Sequence, residues 1–448
     1  MTASNTPSSP HMSELTLQAP DQNQFNDTGL QEKSDFEEGS TQPTPPKSEA
    51  PDGGLTAWLV VLGAWCTSFC SFGWVNSVGA FQEYYQNDLL DNYSPSTIAW
   101  IPSLQIFFMM AMGPVVGKLY DTYGPRQLIF VGTLFHVFGV MMASISTQYY
   151  QILLSQGVCS ALGVSAIVQP ALSTIHAWFD KNRGAAFGLL STGSSIGGVI
   201  FPIMVSRLIK QVGFGWAMRT CGFLVLGLLI IANLTVKALH PPHPQNMSGA
   251  QMVKPFREPE FVLVALGFFF FTFGIYVPIT YLPVQALQVG LKPSIVEYLV
   301  PILNAGSFFG RIASGVLGDK IGRYNIFVIV CYLTALWILA LWIPCKTEGG
   351  IIAFAALFGF CSGAYVSLIG PLVAQISPMR EIGFRTGVVF FLSSISGLVT
   401  NPIAGAIVDK PNGWVGVKVF AGVFCLVGTT CILGARVHRV GWKLNVAF

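Results

Sequence analysis

Long apolar runs recur along this chain from Leu55 almost to its C-terminus, with short polar segments between them. A helix needs about 20 apolar residues to cross the hydrocarbon core of a bilayer. Runs of that length lie at roughly 57–82, 96–118, 127–147, 150–176, 184–209, 215–238, 260–286, 294–317, 325–344, 350–376, 383–408 and 414–436. The pattern therefore predicts an all-α membrane protein with twelve transmembrane helices.

The amino-acid composition agrees with a membrane protein and reduces the number of function classes to consider. Hydrophobic residues make up 52% of the 448 residues and charged residues only 10%, whereas soluble proteins carry about 25% charged residues. This balance argues against a soluble enzyme or a nucleic-acid binder. The sequence holds no Walker loop, no metal-ligand cluster and no nucleophile–base set at useful spacing. We expect no enzymatic activity, no cofactor, no metal and no ATP-driven transport.

The charged residues indicate how the chain is oriented. Residues 1–50 are rich in Ser, Thr, Pro, Gln, Asn and acidic residues, so we expect a disordered acidic tail. No signal-peptide pattern is present. With the N-terminus placed in the cytoplasm, the inner loops hold about twice as many Lys and Arg residues as the outer ones, which is the usual bias. The sequence thus predicts cytoplasmic N- and C-termini, in the plasma membrane.

The chain divides into two related halves. The longest inner connection, 239–259, separates a half at 51–238 from a half at 260–437, and 438–448 forms a C-terminal tail. A loop motif that begins at Gly117 recurs at Gly315, and Ser-Ser-Ile recurs at 194 and 393. Two six-helix halves of the same orientation are typical of secondary transporters, with a substrate site between them near the midplane.

The repeated loop motif predicts a conformational gate. In the first copy, Gly117 and Asp121 precede Arg126, and in the second Asp319 precedes Arg323. An Asp can stabilise a helix N-terminus, and the following Arg can pair with it. Such a latch would hold one conformation and break in the other. The alternative is a basic loop that only sets topology.

Residues 51–440 resemble the major facilitator superfamily, on the strength of these repeats and two further motifs. The first motif is Asp52-Gly53-Gly54, with Trp58 after it, and the second runs from Trp178 through Lys181 and Arg183. Both are similar to marks of the monocarboxylate porter family, chiefly its fungal branch. Each also has a plain structural interpretation, because Asp52 can cap a helix and Trp58 can anchor at the membrane interface.

Arg311 is the strongest single candidate for a substrate-binding residue. An intramembrane Arg costs several kcal/mol unless it faces a cavity, although a long side chain can also reach toward the headgroups. The resemblance implies an Arg at this position that binds a substrate carboxylate. It also implies an Asp where this chain has Ser307 and a Lys where it has Asn76. The proton-coupled lactate mechanism therefore does not carry over. Glu297 and His136 are the remaining candidates for a coupling group, although His136 is more typical of packing.

Other polar or aromatic residues inside the spans could line the cavity. We expect them to contact substrate or, equally, to bond a neighbouring helix. They are Asn76, Gln105, Gln169, Asn304 and Tyr276.

These observations predict a monomeric secondary transporter that moves a small, anionic, amphipathic organic solute by alternating access. Its partners would be that solute, the lipid bilayer and, as a candidate coupling ion, the proton, with no nucleic acid. The resemblance favours export of a fungal secondary metabolite. One alternative is proton-coupled uptake of a monocarboxylate or riboflavin. Another is a nutrient sensor that transports nothing, although such sensors usually carry long cytoplasmic extensions.

Overall fold

The computed structural model describes residues 50–77, 81, 84–241, 252–378 and 381–442. The predicted acidic tail, except for Ala50, and residues 443–448 of the predicted C-terminal tail lie outside this range. Within it, the chain forms helices long and apolar enough to cross a membrane. They are α1 (Leu55–Gly73), α2 (Trp100–Tyr123), α3 (Pro125–Ala143), α4 (Tyr149–Trp178), α5 and α6 (together Arg183–Thr235), α7 (Pro259–Gln288), α8 (Pro293–Ile321), α9 (Arg323–Trp342), α10 (Glu348–Gln375), α11 (Ile382–Val408) and α12 (Gly413–Val440).

Gly213 separates α5 from α6. Its φ of 80° and ψ of 165° are not helical, and a positive φ is a conformation that glycine adopts without a Cβ penalty. We therefore count residues 183–212 as α5 and 214–235 as α6. The twelve predicted transmembrane helices are all present, and helical residues continue beyond α1 as far as Val75. The predicted range 57–82 extends into residues 78–80 and 82, which lie outside the described part of the chain.

Each half of the bundle buries its own apolar core. Trp74, Phe201 and Cys221 belong to the first, and Phe268 and Tyr365 to the second. Large apolar side chains also cover the outer surface of the bundle, as expected for a surface solvated by lipid. Examples are Phe130, Phe138, Phe223, Leu234 and Phe309.

Two π-helical segments interrupt the regular helices of the first half, Phe69–Gly73 in α1 and Leu153–Ser160 in α4. His136 of α3 lies between them. One ring nitrogen is 2.9 Å from Ser160 Oγ and the other is 3.0 Å from Cys70 O. The ring is fully buried and each nitrogen has a hydrogen-bond partner, as expected of a packing residue. Glu297, the other coupling candidate, is exposed near the start of α8.

Candidate functional site between the two halves

The second loop motif caps a helix of the opposite half. The Asp319 carboxylate accepts hydrogen bonds from the backbone N–H groups of Gly184 and Ala185, each at 2.8 Å. These amides lie in the first turn of α5, where N–H groups have no partner within their own helix and an anion is favoured. The arrangement joins the end of α8 to the start of α5.

Arg323 completes this contact. Its Nε and Nη2 donate to Asp319 Oδ1 at 3.0 and 2.9 Å, and Nη2 also donates to the Asp180 carbonyl at 2.7 Å. One guanidinium therefore holds its own acid and the α4–α5 loop of the other half. We name the end of the bundle that carries Asp319 and Asp121 the motif face.

The first loop motif makes the equivalent contact with fewer bonds. Asp121 Oδ2 accepts from the Phe384 N–H at 3.1 Å, at the start of α11. Arg126 is exposed and forms no ion pair with any residue the structure describes. The predicted Asp121–Arg126 pair is therefore not formed. Arg126 follows Asp121 by five residues and Arg323 follows Asp319 by four, so the first motif has one more residue between its acid and its arginine.

A separate ion cluster lies beside Asp121. Arg385 is fully buried and donates to both carboxylate oxygens of Glu258, at 2.5 and 2.8 Å. It also donates to Glu381 at 2.9 Å. The hydrogen bond from Arg385 lowers the pKa of Glu258 below its usual range. This cluster ties the start of α7 to the start of α11.

The two family motifs meet in space. Asp52 N donates to Trp178 O at 3.1 Å, and Asp52 Oδ1 accepts from the N–H groups of Asp180 and Asn182 at 2.7 and 3.2 Å. Asp52 thus binds the α4–α5 loop. It does not cap α1, whose N-cap position is Gly54. The predicted capping role of Asp52 was wrong, because the side chain finds its amides in a distant loop.

The remaining motif residues surround this loop. Trp58 packs edge-on against Phe179, with ring centroids 5.2 Å apart. Arg183 is buried and donates to Phe179 O at 2.9 Å and Asp180 Oδ1 at 3.2 Å. Lys181 is exposed, and Gly53 and Gly54 leave open space around their Cα atoms.

Glycines permit the close approach of the halves at the motif face. A Cβ atom at Gly315 would overlap the Gly184 carbonyl, and one at Gly117 would overlap the Gly383 carbonyl. The same overlap recurs between Gly113 and Gly387. Both crossings, α8 with α5 and α2 with α11, therefore depend on residues without side chains.

Replacing Gly315 by leucine should prevent the motif face from closing. The added side chain would have to displace the α5 backbone, so we expect the rate of transport to fall at least tenfold. Gly227 of α6 has nothing within 4 Å of a Cβ, and Gly227→Leu is the matched control that should transport normally. Equal rates for the two variants, at equal amounts of protein, would contradict a close α5–α8 contact.

Arg311 lies between the two halves and is only 6% exposed. Its Nε donates to Ser307 Oγ at 3.0 Å, and its Nη1 donates to Ser191 O and Ser194 Oγ on α5. Nη2 bonds no residue in the part of the chain that the structure describes, and no acid there pairs with the guanidinium. An unpaired cation buried this way is costly unless something else compensates it.

The direction of this side chain argues against snorkelling. The Arg311 carbonyl lies against Gly188, whereas the guanidinium reaches Ser194, which is further along α5 and away from the motif face. Ser307 is likewise one turn further from the α8–α9 loop. The guanidinium therefore points toward the middle of the helices.

Asn76, just after α1, and Asn304 of α8 both lie beside Gly198 of α5. A Cβ atom at Gly198 would lie 2.7 Å from Asn76 Nδ2 and 2.6 Å from Asn304 Oδ1. Each amide also donates to the carbonyl four residues earlier, at 2.9 and 3.0 Å. These two predicted site residues therefore both lie beside Gly198 of α5, and Asn304 shares α8 with Arg311.

A crevice of about 320 Å³ opens beside these residues, between α5 and α8. Ile200 and Phe309 lie at its exposed side, and Ser195 and Asn304 are buried. Ser195 Oγ donates to Ser307 Oγ at 3.2 Å, which links the crevice to Arg311. Its lining is Ser195, Ile196, Val199, Ile200, Asn304, Ala305, Phe308 and Phe309.

The other predicted residues lie elsewhere. Gln105 accepts from Gln156 at 3.4 Å, and Gln156 accepts from Tyr85 at 2.6 Å, so Gln105 belongs to a network inside the first half. Gln169 is buried and bonds no described side chain. Tyr276 faces Gly397 of α11.

Sequence reasoning missed the serines of α5 as ligands of Arg311. Ser194 was visible only as part of the repeated Ser-Ser-Ile, and Ser191 contributes a backbone carbonyl that no side-chain pattern reveals. His176, which is buried near Arg183, was also missed, because a lone histidine carries no motif.

Comparisons with known proteins agree on one family. A family model described as Major Facilitator Superfamily matches residues 63–351. The chain is 58% identical to the MFS transporter asaE of Aspergillus flavus, over 92% of this chain and 93% of that protein. It is 54% identical to the fujikurins efflux protein of Gibberella fujikuroi, over 89% and 86%. The solved Escherichia coli fucose:proton symporter matches with a TM-score of 0.68 at 12% identity, over 84% and 98%.

Proposed function

Because this chain belongs to the major facilitator superfamily, we propose that it exports a small amphipathic organic anion by alternating access between its two halves. It is a multi-pass membrane protein and a secondary transporter that carries a small-molecule solute. The proposal adds the direction of transport, the charge of the solute and the site that holds it.

The observation that carries the proposal is the buried guanidinium of Arg311. It lies between the halves, points toward the middle of the helices and has one nitrogen, Nη2, without a bond to a described residue. A carboxylate there would supply the missing negative charge and a charge-assisted hydrogen bond. Arg311 already bonds α5 of the other half. An anion bound to Nη2 would therefore lie at the α5–α8 contact, which must form and break as the two halves alternate.

The neighbouring crevice supports an amphipathic solute. Its wall is apolar apart from Ser195 and Asn304, and its outer side is exposed at Phe309. The apolar part of a solute could lie there while its anionic group reaches Arg311. This separation of apolar and charged contacts suits an aryl or alkyl carboxylate better than lactate.

Export is supported by the similarity of this chain to the fujikurins efflux protein. We further propose the fungal branch of the monocarboxylate porter family, with Ser307 and Asn76 replacing the coupling pair that its lactate carriers have. The motif face would be cytoplasmic, both termini inside and the protein a monomer in the plasma membrane.

Transport into inside-out and right-side-out vesicles that contain the full chain tests this proposal. The probes are lactate, octanoate, naphthylacetate and, as a comparator without a carboxylate, riboflavin. We expect naphthylacetate and octanoate to accumulate in inside-out vesicles, which is the direction of export, and lactate to move little. Uptake of lactate or riboflavin into right-side-out vesicles would contradict export and show that the protein is an importer. No movement of any probe would favour a sensor.

Filling the crevice should weaken transport of the apolar carboxylates selectively. Ala305 is exposed in the wall of the crevice, so Ala305→Phe occupies space without breaking the core. We expect naphthylacetate export to fall about tenfold, because removing one ring-sized contact costs about 1–2 kcal/mol. Ala353→Phe, on the exposed side of α10, is the matched control. Equal loss in both variants would remove the crevice from the site.

A further inference from the structure

A buried histidine beneath the motif-face contact has no assigned role. His176 lies near the end of α4 and is 1% exposed. Among the residues the structure describes, neither ring nitrogen finds a hydrogen-bond partner. Leaving buried polar atoms unpaired costs about 1–3 kcal/mol, so this arrangement asks for a functional explanation.

Two arginines lie near the His176 ring, and the carboxylates beside these arginines already form other contacts. Arg183 Nη2 donates to the His176 carbonyl at 3.3 Å, and Arg323 Nη2 donates to the carbonyl of Asp180 in the adjoining α4–α5 loop at 2.7 Å. Asp319 is held by two amides and Arg323, and Asp180 pairs with Arg183. A third positive charge at His176 would therefore find no free carboxylate among the described neighbours.

Further titratable groups lie on the other helices at this face, and each has a contact of its own. Asp121 caps α11, and Asp52 binds the α4–α5 loop. They include Asp52, Tyr120, Asp121, Asp180, Arg183, Glu258, Asp319, Arg323, Glu381 and Arg385.

The ring is also coupled mechanically to the second half. It stacks on Phe187 of α5 with centroids 4.7 Å apart. The Phe187 ring in turn fills the space above Gly370 of α10, where a Cβ atom would overlap it. A shift of the histidine therefore disturbs a contact between the halves.

We propose that His176 is the proton-responsive positioning residue of the motif-face contact, so that protonation of its ring opens this face. The closed face buries the ring beside Arg183 and Arg323, where an added charge is unfavourable. Opening admits water and lets the ring bind a proton. The proposal rests on alternating access and holds for whichever solute is carried.

The sign and size of the pH effect on the open-to-closed ratio follow from the difference in proton binding between the two states. A hydrated histidine titrates near pH 6.5, and the open face is the state that binds the additional proton. Acidification therefore favours the open face, by up to tenfold for each pH unit below that value. Between pH 8 and pH 5.5 the open-to-closed ratio should rise about tenfold.

Hydrogen exchange at the amides of Gly184 and Ala185 tests the proposal without any substrate. These amides donate to Asp319 only while the face is closed. In the full chain in lipid nanodiscs, after correction for the intrinsic pH dependence of exchange, we expect about tenfold less protection at pH 5.5 than at pH 8. His176→Phe, which keeps the ring stack, should remove this response. The exposed His438 of α12 supplies the control His438→Gln, which should keep it.

Two further variants keep the test decisive. His176→Gln replaces the phenylalanine variant if that protein does not fold, and His176→Lys should lower protection already at pH 8. A wild-type protein without the pH response would overturn the proposal. A pH response that persists in the neutral variants would also overturn it, because protonation of carboxylates such as Asp121 would then cause the response.

Discussion

Replacing Arg311 by glutamine should reduce export of an amphipathic carboxylate by about a hundredfold or more, with the amount of folded protein unchanged. Losing one partner of a buried charged hydrogen bond costs about 2–5 kcal/mol, and 2.7 kcal/mol corresponds to about a hundredfold. Ser191, Ser194 and Ser307 can bond water or each other once the guanidinium is gone, so we expect the fold to survive. Export of naphthylacetate from cells, relative to surface protein, measures the effect.

Arg311→Lys is the matched variant. Lysine keeps the charge but has a shorter, single-point donor head, and it cannot hold Ser307, the α5 serines and an anion together. We expect it to transport at a rate between wild type and Arg311→Gln. Transport that survives in the glutamine variant would show that the arginine only connects the two halves.

Replacing Asp319 by asparagine should open the motif face more than the same change at Asp121. Asp319 accepts from two α5 amides and from Arg323, and charged hydrogen bonds contribute about 1.5–3 kcal/mol each. We expect at least tenfold less protection of the Gly184 and Ala185 amides from hydrogen exchange, and a comparable loss of transport.

The control for this prediction is its counterpart in the first half. Asp121 caps α11 without help from Arg126, so Asp121→Asn should change protection at Phe384 by a smaller factor. Arg126→Gln should have little effect, and Arg323→Gln a large one. Equal effects at the two motifs, or a large effect of Arg126→Gln, would contradict the asymmetry between the two contacts.

The hydrophobic pattern predicted the helices well because lipid imposes it on every span. It also located the break between α5 and α6, since the polar gap at 210–214 contains Gly213. The pattern gave no sign that Phe69–Gly73 in α1 is π-helical. Regular periodicity carries no signal for such a change in register.

The candidate site was only partly predictable. An arginine inside an apolar span is visible in the sequence, but its ligands on α5 are more than 100 residues away. The repeat made both loop motifs appear equivalent, although the first has one additional residue, Pro125, before its arginine, and only Arg323 pairs with the aspartate of its own motif. Asp52 reads as a cap for the helix that follows it, whereas its amides belong to residues 180 and 182. Tertiary contacts decide each of these cases.

The central claim is that Arg311 holds the anionic group of the transported solute. Equilibrium binding of naphthylacetate and of its neutral amide to the purified full chain tests it most directly, because the two ligands differ chiefly in charge. Wild type should bind the carboxylate about a hundredfold more tightly than the amide, and Arg311→Gln should bind both equally weakly. A preference for the carboxylate that persists without Arg311, or no preference in wild type, would contradict the claim.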